Sequence, residues 1–275
     1  MASVFVVIVG FFGALIGSFL NVVIYRVPAK KSIVSPPSAC GSCGARIRPW
    51  DNIPVVSWFI LRGRCRDCGA HISARYPAVE LGTALFFAAV AWWVAATVTL
   101  PLQTPDLLAL ILLAVAFLYL ASISVALALI DLDTHTLPNA IVLPAYLVGG
   151  ALLAASALLA GEPGRLLSAA IGGGGLFALY LALALVRPGG MGLGDVKLAG
   201  VLGLYLGWLG WGALFVGAFG AFLLGGVFGL LLMASRKAGR KSSIPFGPWM
   251  LLGAWLGIFA GDQLATGYLA LFGLA

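Results

Sequence analysis

Two aspartates and four cysteines hold most of the chemistry available to this chain. Asp131 closes the apolar stretch LYLASISVALALIDLD, and Asp195 lies in GGMGLGDVKLAG just ahead of another apolar run. Ionisable groups in or beside membrane helices are costly, and they usually face a protein interior or a wet cavity where they have a job. Two carboxyl groups brought together can share one proton, which equips them for aspartic hydrolysis. One acts as general base on water while the other, protonated, polarises the carbonyl under attack. Such a pair titrates jointly. Asp131 falls at a helix C-terminus and Asp195 at an N-terminus, so the helix dipoles place the shared proton on Asp131. Gly192 and Gly194 allow unusual backbone angles and close approach of a peptide beside the second acid, and are read as supporting the substrate site. Asp133 turns about 200° from Asp131 on a continuing helix and reads as a solvated loop acid. Lys197 reads as a topology charge. The plain alternative for either candidate acid is to cap or end its helix.

The cysteines form Cys40-Gly-Ser-Cys43, then 21 residues, then Cys65-Arg-Asp-Cys68. Two such knuckles can place four thiolates tetrahedrally around one structural Zn²⁺. Arg46, Arg64 and Arg66 are expected to lower the thiol pKa values. Two disulfides or idle thiols are the alternatives, and structural disulfides are rare in a reducing compartment. His71 reads as ordinary packing, since four sulfurs already close the shell. A segment of this size has little core of its own, so the metal is expected to hold it folded.

The elements that position these residues belong to a membrane. Hydrophobic residues make up 62% of the 275-residue chain and charged residues 9%, with a mean hydropathy of +1.09. Soluble domains run at about 45–50% apolar and about 25% charged. Runs near 20 apolar residues, enough to cross the hydrocarbon, fall at 4–25, 79–100, 107–130, 139–160, 166–186, 195–210, 212–234 and 247–262. Eight helices are expected, with seven or nine open. The sixth is short and glycine-rich. The chain thus reads as an all-α polytopic membrane protein. It comprises a first helix at 1–25, a cytoplasmic four-cysteine domain at 26–78 and a transmembrane bundle at 79–275. The first run lacks a preceding basic residue and a small-residue cleavage site, so it reads as a retained span. With the N-terminus outside, fifteen of the sixteen Lys and Arg fall in or beside cytoplasmic segments, leaving Arg165, as the positive-inside rule requires. The net charge of +7 then reflects topology and anionic membrane lipid, not nucleic acid. Gly172 to Gly175 and the glycines from Gly189 to Gly229 suit close helix packing.

These motifs, taken together, resemble the type IV prepilin peptidases, the bifunctional leader peptidase and N-methyltransferase family among the GxGD aspartyl proteases. The matching stretches are GSFLNVVIYRVP at 17–28, the double CxxC with DNIPVVSWFILRGRC, and ISARYPAVELGTA at 72–84. LIDLDTHTLPN at 129–139, MGLGDVKLAG at 191–200 and IPFGPWMLLGAW at 244–255 complete the set. The resemblance implies catalytic aspartates at Asp131 and Asp195, and prepilin and pseudopilin substrates cut at the cytoplasmic face of a bacterial inner membrane. It also implies methylation of the new N-terminal residue from S-adenosylmethionine. Asn139 departs from the Asp common in that family. Segment 26–78 has no βαβ pattern or glycine-rich nucleotide loop, so the methyl donor rests on the resemblance alone, with Glu80 a speculative site group. Two other classes compete: a proton-coupled transporter, which normally carries repeats and midplane sites, and a zinc-binding scaffold without catalysis.

Overall fold

A computed structural model of the chain describes residues 2–98, 103–186, 191–235 and 245–274. The basic residues Arg187 and Arg236 to Lys241, used above for topology, lie outside them. Among the described residues there are nine α-helices and no strand. They are α1 (Ala2–Arg26), α2 (Val56–Ile60), α3 (Arg75–Ala96), α4 (Thr104–Thr134), α5 (Asn139–Leu159), α6 (Gly164–Val186), α7 (Leu193–Leu209), α8 (Trp211–Ala234) and α9 (Gly247–Ala270), with a 3₁₀ turn at Pro49–Asn52. Every expected span is a helix. Six of them, α1, α3, α4, α5, α6 and α8, are long and apolar enough to cross a membrane.

The other two differ for reasons visible in their sequences. Helix α7 has 17 residues and is buried almost all round, including Val196, Leu198, Val201, Leu202, Tyr205, Leu206 and Trp208. A helix apolar on every side belongs inside a bundle. Helix α9 has 24 residues but includes five glycines, Asp262 and Gln263.

The chain divides into two compact units. One comprises Met1–Pro101 with Phe117–Ala126, and the other Leu102–Ala116 with Leu127–Ala275. In the first, α1 packs on α3 where a Cβ at Gly13 would come within 2.8 Å of the Phe87 ring and 2.9 Å of the Thr83 carbonyl oxygen. Asn21 Nδ2 donates to the Tyr76 carbonyl at 3.2 Å and stitches the same pair. The first unit therefore joins α3 to α1 and the cysteine segment.

In the second unit α7 is the centre, contacted by α5, α6, α8 and α9. Gly200, Gly203 and Gly207 lie at helical spacing on the face that meets Gly172 and Gly173 of α6, and a Cβ on Gly172 would lie 2.5 Å from the Gly203 carbonyl oxygen. Without an aqueous driving force between helices, such backbone approach supplies the packing. Polar stitches add to it: Trp208 Nε1 donates to the Leu153 carbonyl at 3.2 Å and Tyr146 OH to the Lys197 carbonyl at 2.6 Å.

Candidate active site and metal centre

The expected span 107–130 ended just before Asp131, but α4 continues to Thr134. Asp131 therefore sits one turn inside the helix. His135 then adopts the left-handed conformation, φ 53°, and its N–H donates to the Asp131 carbonyl at 2.8 Å. An αL residue of this kind commonly closes a helix, and here it turns the chain back toward Pro138, the residue before α5. Because the helix continues, Asp131 and Asp133 diverge as the 3.6-residue period requires. Asp131 is only 4% exposed, whereas Asp133 is exposed.

The Asp131 carboxylate accepts the N–H of Gly247, the first residue of α9, at 3.0 Å. Asp195 occupies the first turn of α7 and is half-buried. It accepts the N–H of Gly192 at 3.0 Å, satisfying a donor just ahead of the helix as N-terminal acids do. The two carboxyl groups lie within electrostatic reach of one another. Between their supports sits Leu137. Its Cβ would be 3.0 Å from a Cβ at Gly194, and its Cδ2 would be 3.3 Å from one at Gly247. The fold thus brings together Asp131, Asp195, Gly192 and Gly194 from segments far apart in the chain.

The reason for the glycines differs from the sequence reading. Gly192 has φ −81° and ψ 150°, extended backbone that any residue adopts. What matters is room. A Cβ at Gly192 would lie 3.3 Å from Asp195 Oδ2, and one at Gly194 would press on Leu137.

Several groups near the acids have no individual signal in the sequence. The Gly247 N–H is a backbone donor, invisible to residue type. Phe246, just before it, packs on Tyr180 with ring centroids 6.3 Å apart and on Phe222 at 5.6 Å, while Tyr180 and Phe222 meet at 5.3 Å. This aromatic cluster from α6, α8 and the start of α9 fixes the backbone that holds Asp131. Tyr180 is also within electrostatic reach of Asp195, and His135 of Asp131. Lys197 Nζ donates to Asn139 Oδ1 at 3.0 Å, tying the start of α7 to the start of α5.

In the first unit the four cysteine sulfurs all lie within 4.8 Å of one another, and the Cys40 and Cys68 sulfurs are 3.8 Å apart. That is far beyond a disulfide bond of about 2.05 Å. It matches the edge of a tetrahedron with metal–sulfur bonds of about 2.3 Å. Each knuckle repeats one design. The Cys40 N–H donates to Ala45 O at 2.9 Å and that of Cys65 to Ala70 O at 2.8 Å, while Gly44 and Gly69 return to the Cys40 and Cys65 carbonyls, both at 2.9 Å. Gly44 and Gly69 have φ of 73° and 71°, a conformation glycine adopts without steric cost. His71 pairs with Arg64 in an isolated β-bridge, a structural place rather than a ligand's.

The arginines are not what shifts the Cys40 and Cys68 thiols. Backbone N–H groups of Cys43 and Ser42 pull the Cys40 thiol down to about 6. Arg66 is instead turned to Asp51, with Nε 2.8 Å from Oδ2, and its N–H bonds hold the Asp51 carboxyl below the usual range. The Ala70 N–H favours the Cys68 thiolate, yet the sulfurs of Cys43, Cys65 and Cys40 and partial burial push this thiol up to about 12. Four thiolates in this space repel, so their joint ionisation calls for a cation. The cluster can hold a metal ion.

Comparison with known proteins places the two units. Residues 11–94 match the family model described as the bacterial peptidase A24 N-terminal domain, and 118–230 that of the type IV leader peptidase family. A prepilin leader peptidase/N-methyltransferase of Pseudomonas putida is 34% identical over 98% of this chain and 95% of its own length. One from Pseudomonas aeruginosa is 36% identical over 95% and 92%, and one from Aeromonas hydrophila 36% over 95% and 92%. No solved structure matches the chain.

Proposed function

The chain belongs to the type IV leader peptidase family, and on that premise we propose that it cleaves the basic leader from prepilins and pseudopilins with Asp131 and Asp195, then methylates the new N-terminus. The observation that carries the peptidase reading is that Leu137 packs against both Gly194, beside Asp195, and Gly247, whose N–H holds Asp131. A carboxylate 4% exposed on α4 lies within electrostatic reach of another on the first turn of α7. One of them takes a proton from water, whose oxygen attacks the scissile carbonyl carbon. The other donates its proton to the carbonyl oxygen; the acid that took the proton of water then gives it to the amide nitrogen while its partner takes back a hydroxyl proton from the gem-diol, and the C–N bond breaks to release the amine and a carboxylic acid. Each carboxylate accepts an N–H at a helix N-terminus, Asp131 from Gly247 of α9 and Asp195 from Gly192 ahead of α7, so the dipoles favour the anion at both and the pair shares its one proton without a dipole bias toward either acid. The Gly247 and Gly192 N–H groups orient the two carboxyls so that their free oxygens are not lost to rotation.

The cysteine cluster supports a structural Zn²⁺ on Cys40, Cys43, Cys65 and Cys68, with no open position for catalysis. S-adenosylmethionine would supply an electrophilic methyl group to the freed amine. Fifteen basic residues on one set of loops support an inner-membrane protein with its N-terminus outside and its peptidase site at the cytoplasmic face. The domain division at residues 26 and 79 is retained as a functional one, with the cysteine segment serving the methyltransferase.

The test incubates purified protein with a prepilin in bilayer nanodiscs and maps the product N-terminus by mass spectrometry. Cleavage before the apolar segment, abolished in Asp131→Asn and Asp195→Asn, supports the diad. A methylene gain dependent on S-adenosylmethionine supports the transferase. Turnover by either folded aspartate variant at the wild-type rate would sink the assignment. A transporter is not favoured, because both acids lie at helix ends and not at midspan.

A further inference from the structure

We propose that helix α2 and the 3₁₀ turn before it form an interfacial anchor, whose apolar face lies in the headgroup region of an anionic bilayer. The anchor depends on neither the peptidase nor the methyltransferase reading. Val56, Phe59 and Ile60 are exposed on α2, Phe59 by 66% and Ile60 by 70%. Positions i, i+3 and i+4 share one helix face. The opposite side makes the polar contacts. Ser57 is buried, its Oγ donating to the Trp50 carbonyl at 2.9 Å and accepting the Ile53 N–H at 3.1 Å. Trp58 Nε1 donates to the Ile72 carbonyl at 3.0 Å. The two Ser57 bonds bring Trp50 and Ile53, both exposed, alongside α2. A helix on the surface of a water-soluble domain turns its apolar stripe inward. Helix α2 turns it out, and an apolar patch of this kind marks a protein or membrane partner.

Depth, residue type and charge all name the membrane as that partner. The Val55 N–H, at the start of α2, donates to Glu80 Oε2 at 2.6 Å. Glu80 lies on α3 and meets α1 at Gly17, where an added Cβ would come within 2.7 Å of the Glu80 Cα. At about 1.5 Å per residue, Gly17 is roughly 13 Å short of Arg26, the end of α1, and Glu80 roughly 7 Å inside α3 from Arg75. Both helices are long and apolar enough to cross a membrane, so α2 is tied to a point below their charged ends. Trp and Phe are the side chains that interfacial segments sink between headgroups, and Trp50 and Phe59 supply them. Arg48 and Arg66 are paired with Asp67 and Asp51, whereas Arg62 and Arg64 make no ion pair among the described residues. Arg62 has φ 51°. Its N–H donates to the Phe59 carbonyl at 3.0 Å and that of Gly63 to the Trp58 carbonyl at 2.8 Å, a turn that closes the helix. The turn keeps Arg62 at the end of the apolar face, where lipid phosphates meet a guanidinium. Helices α1 and α3 already retain the chain in the bilayer, so α2 has only to orient the segment. Cys65 follows this turn directly, and the anchor thereby holds the metal centre at the membrane surface.

The test places photoreactive benzoylphenylalanine at position 59 or, in a second chain, at position 60 of the full zinc-loaded protein. The nanodiscs hold equimolar phosphatidylcholine and phosphatidylglycerol, and adducts formed on irradiation are identified by mass spectrometry. Only chains with wild-type zinc content and unfolding temperature are scored. Both positions are expected to capture lipid, with phosphatidylglycerol favoured about fivefold, the preference one basic residue near an anionic surface confers. Arg62→Gln combined with Arg64→Gln is expected to bring capture of the two lipids close to equal. Adducts to protein in place of lipid, whether to this chain, a second copy or an added prepilin, overturn the anchor. Recovery of unlinked protein alone from both positions overturns it too. Lipid capture with no phosphatidylglycerol preference, or with one that the double variant keeps, overturns the assignment to an anionic surface.

Discussion

Replacing Gly247 by alanine tests whether the Asp131 carboxylate needs the position it occupies. The added Cβ would fall 2.7 Å from Asp131 Oδ2 and 3.3 Å from both its Cγ and Leu137 Cδ2. Phe246 is clamped by Tyr180 and Phe222, so the start of α9 cannot recede freely and the carboxylate must move. Reaching the 3.4 Å at which ordinary contact begins takes a shift of about 0.7 Å. A 1 Å misplacement of a catalytic group costs about 10²-fold, so a loss of roughly 30-fold in kcat is expected, with KM little changed. That corresponds to about 2 kcal/mol in the barrier. Overpacking adds a stability loss of about 1–3 kcal/mol, read separately from the unfolding temperature. Gly192→Ala is the internal control. Its Cβ would lie 3.3 Å from Asp195 Oδ2 on unstrained backbone, so only a few-fold loss is expected. The assay is steady-state cleavage of a prepilin in nanodiscs at matched protein and lipid. A folded Gly247→Ala enzyme with wild-type kcat, or one less impaired than Gly192→Ala, refutes the reasoning.

Asp131→Asn and Asp195→Asn are each expected to cut cleavage by roughly 10⁴-fold or more, and the double variant by little further, because groups acting as a unit are not additive; a multiplicative loss in the cleavage assay would contradict a shared proton. Lys197→Met breaks the exposed bond to Asn139 Oδ1 and is expected to cost about 1 kcal/mol in stability, with cleavage reduced less than tenfold; a total loss would make Lys197 a participant in the chemistry. Metal affinity of the cysteine segment is expected to rise with pH, because binding must expel the proton of the Cys68 thiol, which the neighbouring sulfurs and partial burial push up to about 12. Competition with a chelator at several pH values checks this sign, and a pH-independent affinity would contradict it. Cys40→Ser is expected to lose the metal, by elemental analysis, and to open the segment to proteolysis.

The helices and the two candidate acids are legible in the sequence because both follow from local rules. Apolar run length marks a helix, and a carboxyl beside such a run is rare enough to stand out. The paired CxxC is equally local, since each knuckle closes within its own few residues. The end of α4 was misplaced by one turn because hydropathy falls at Asp131 while the helix does not. Its polar side chain is satisfied by Gly247, 116 residues away, which no local pattern records. The arginines near the cysteines were given the wrong task for a related reason. Their charge is evident from the sequence, but Arg66 is spent on Asp51, and backbone N–H groups act on the sulfur instead.

Taken by itself, the sequence determined the class of this protein: a multi-pass helical bundle with two candidate acids and one four-sulfur cluster. Tertiary structure alone decided that the segments carrying Asp131 and Asp195 both close on Leu137, that backbone N–H groups hold the two carboxylates, and that glycines 192, 194 and 247 leave room around them. It also decided that Gly200, Gly203 and Gly207 of α7 turn to α6. The physical reason is range. Hydrophobic burial and helical hydrogen bonding act within a segment and leave a periodic trace, whereas contacts between segments depend on packing of backbones whose partners the local sequence does not name.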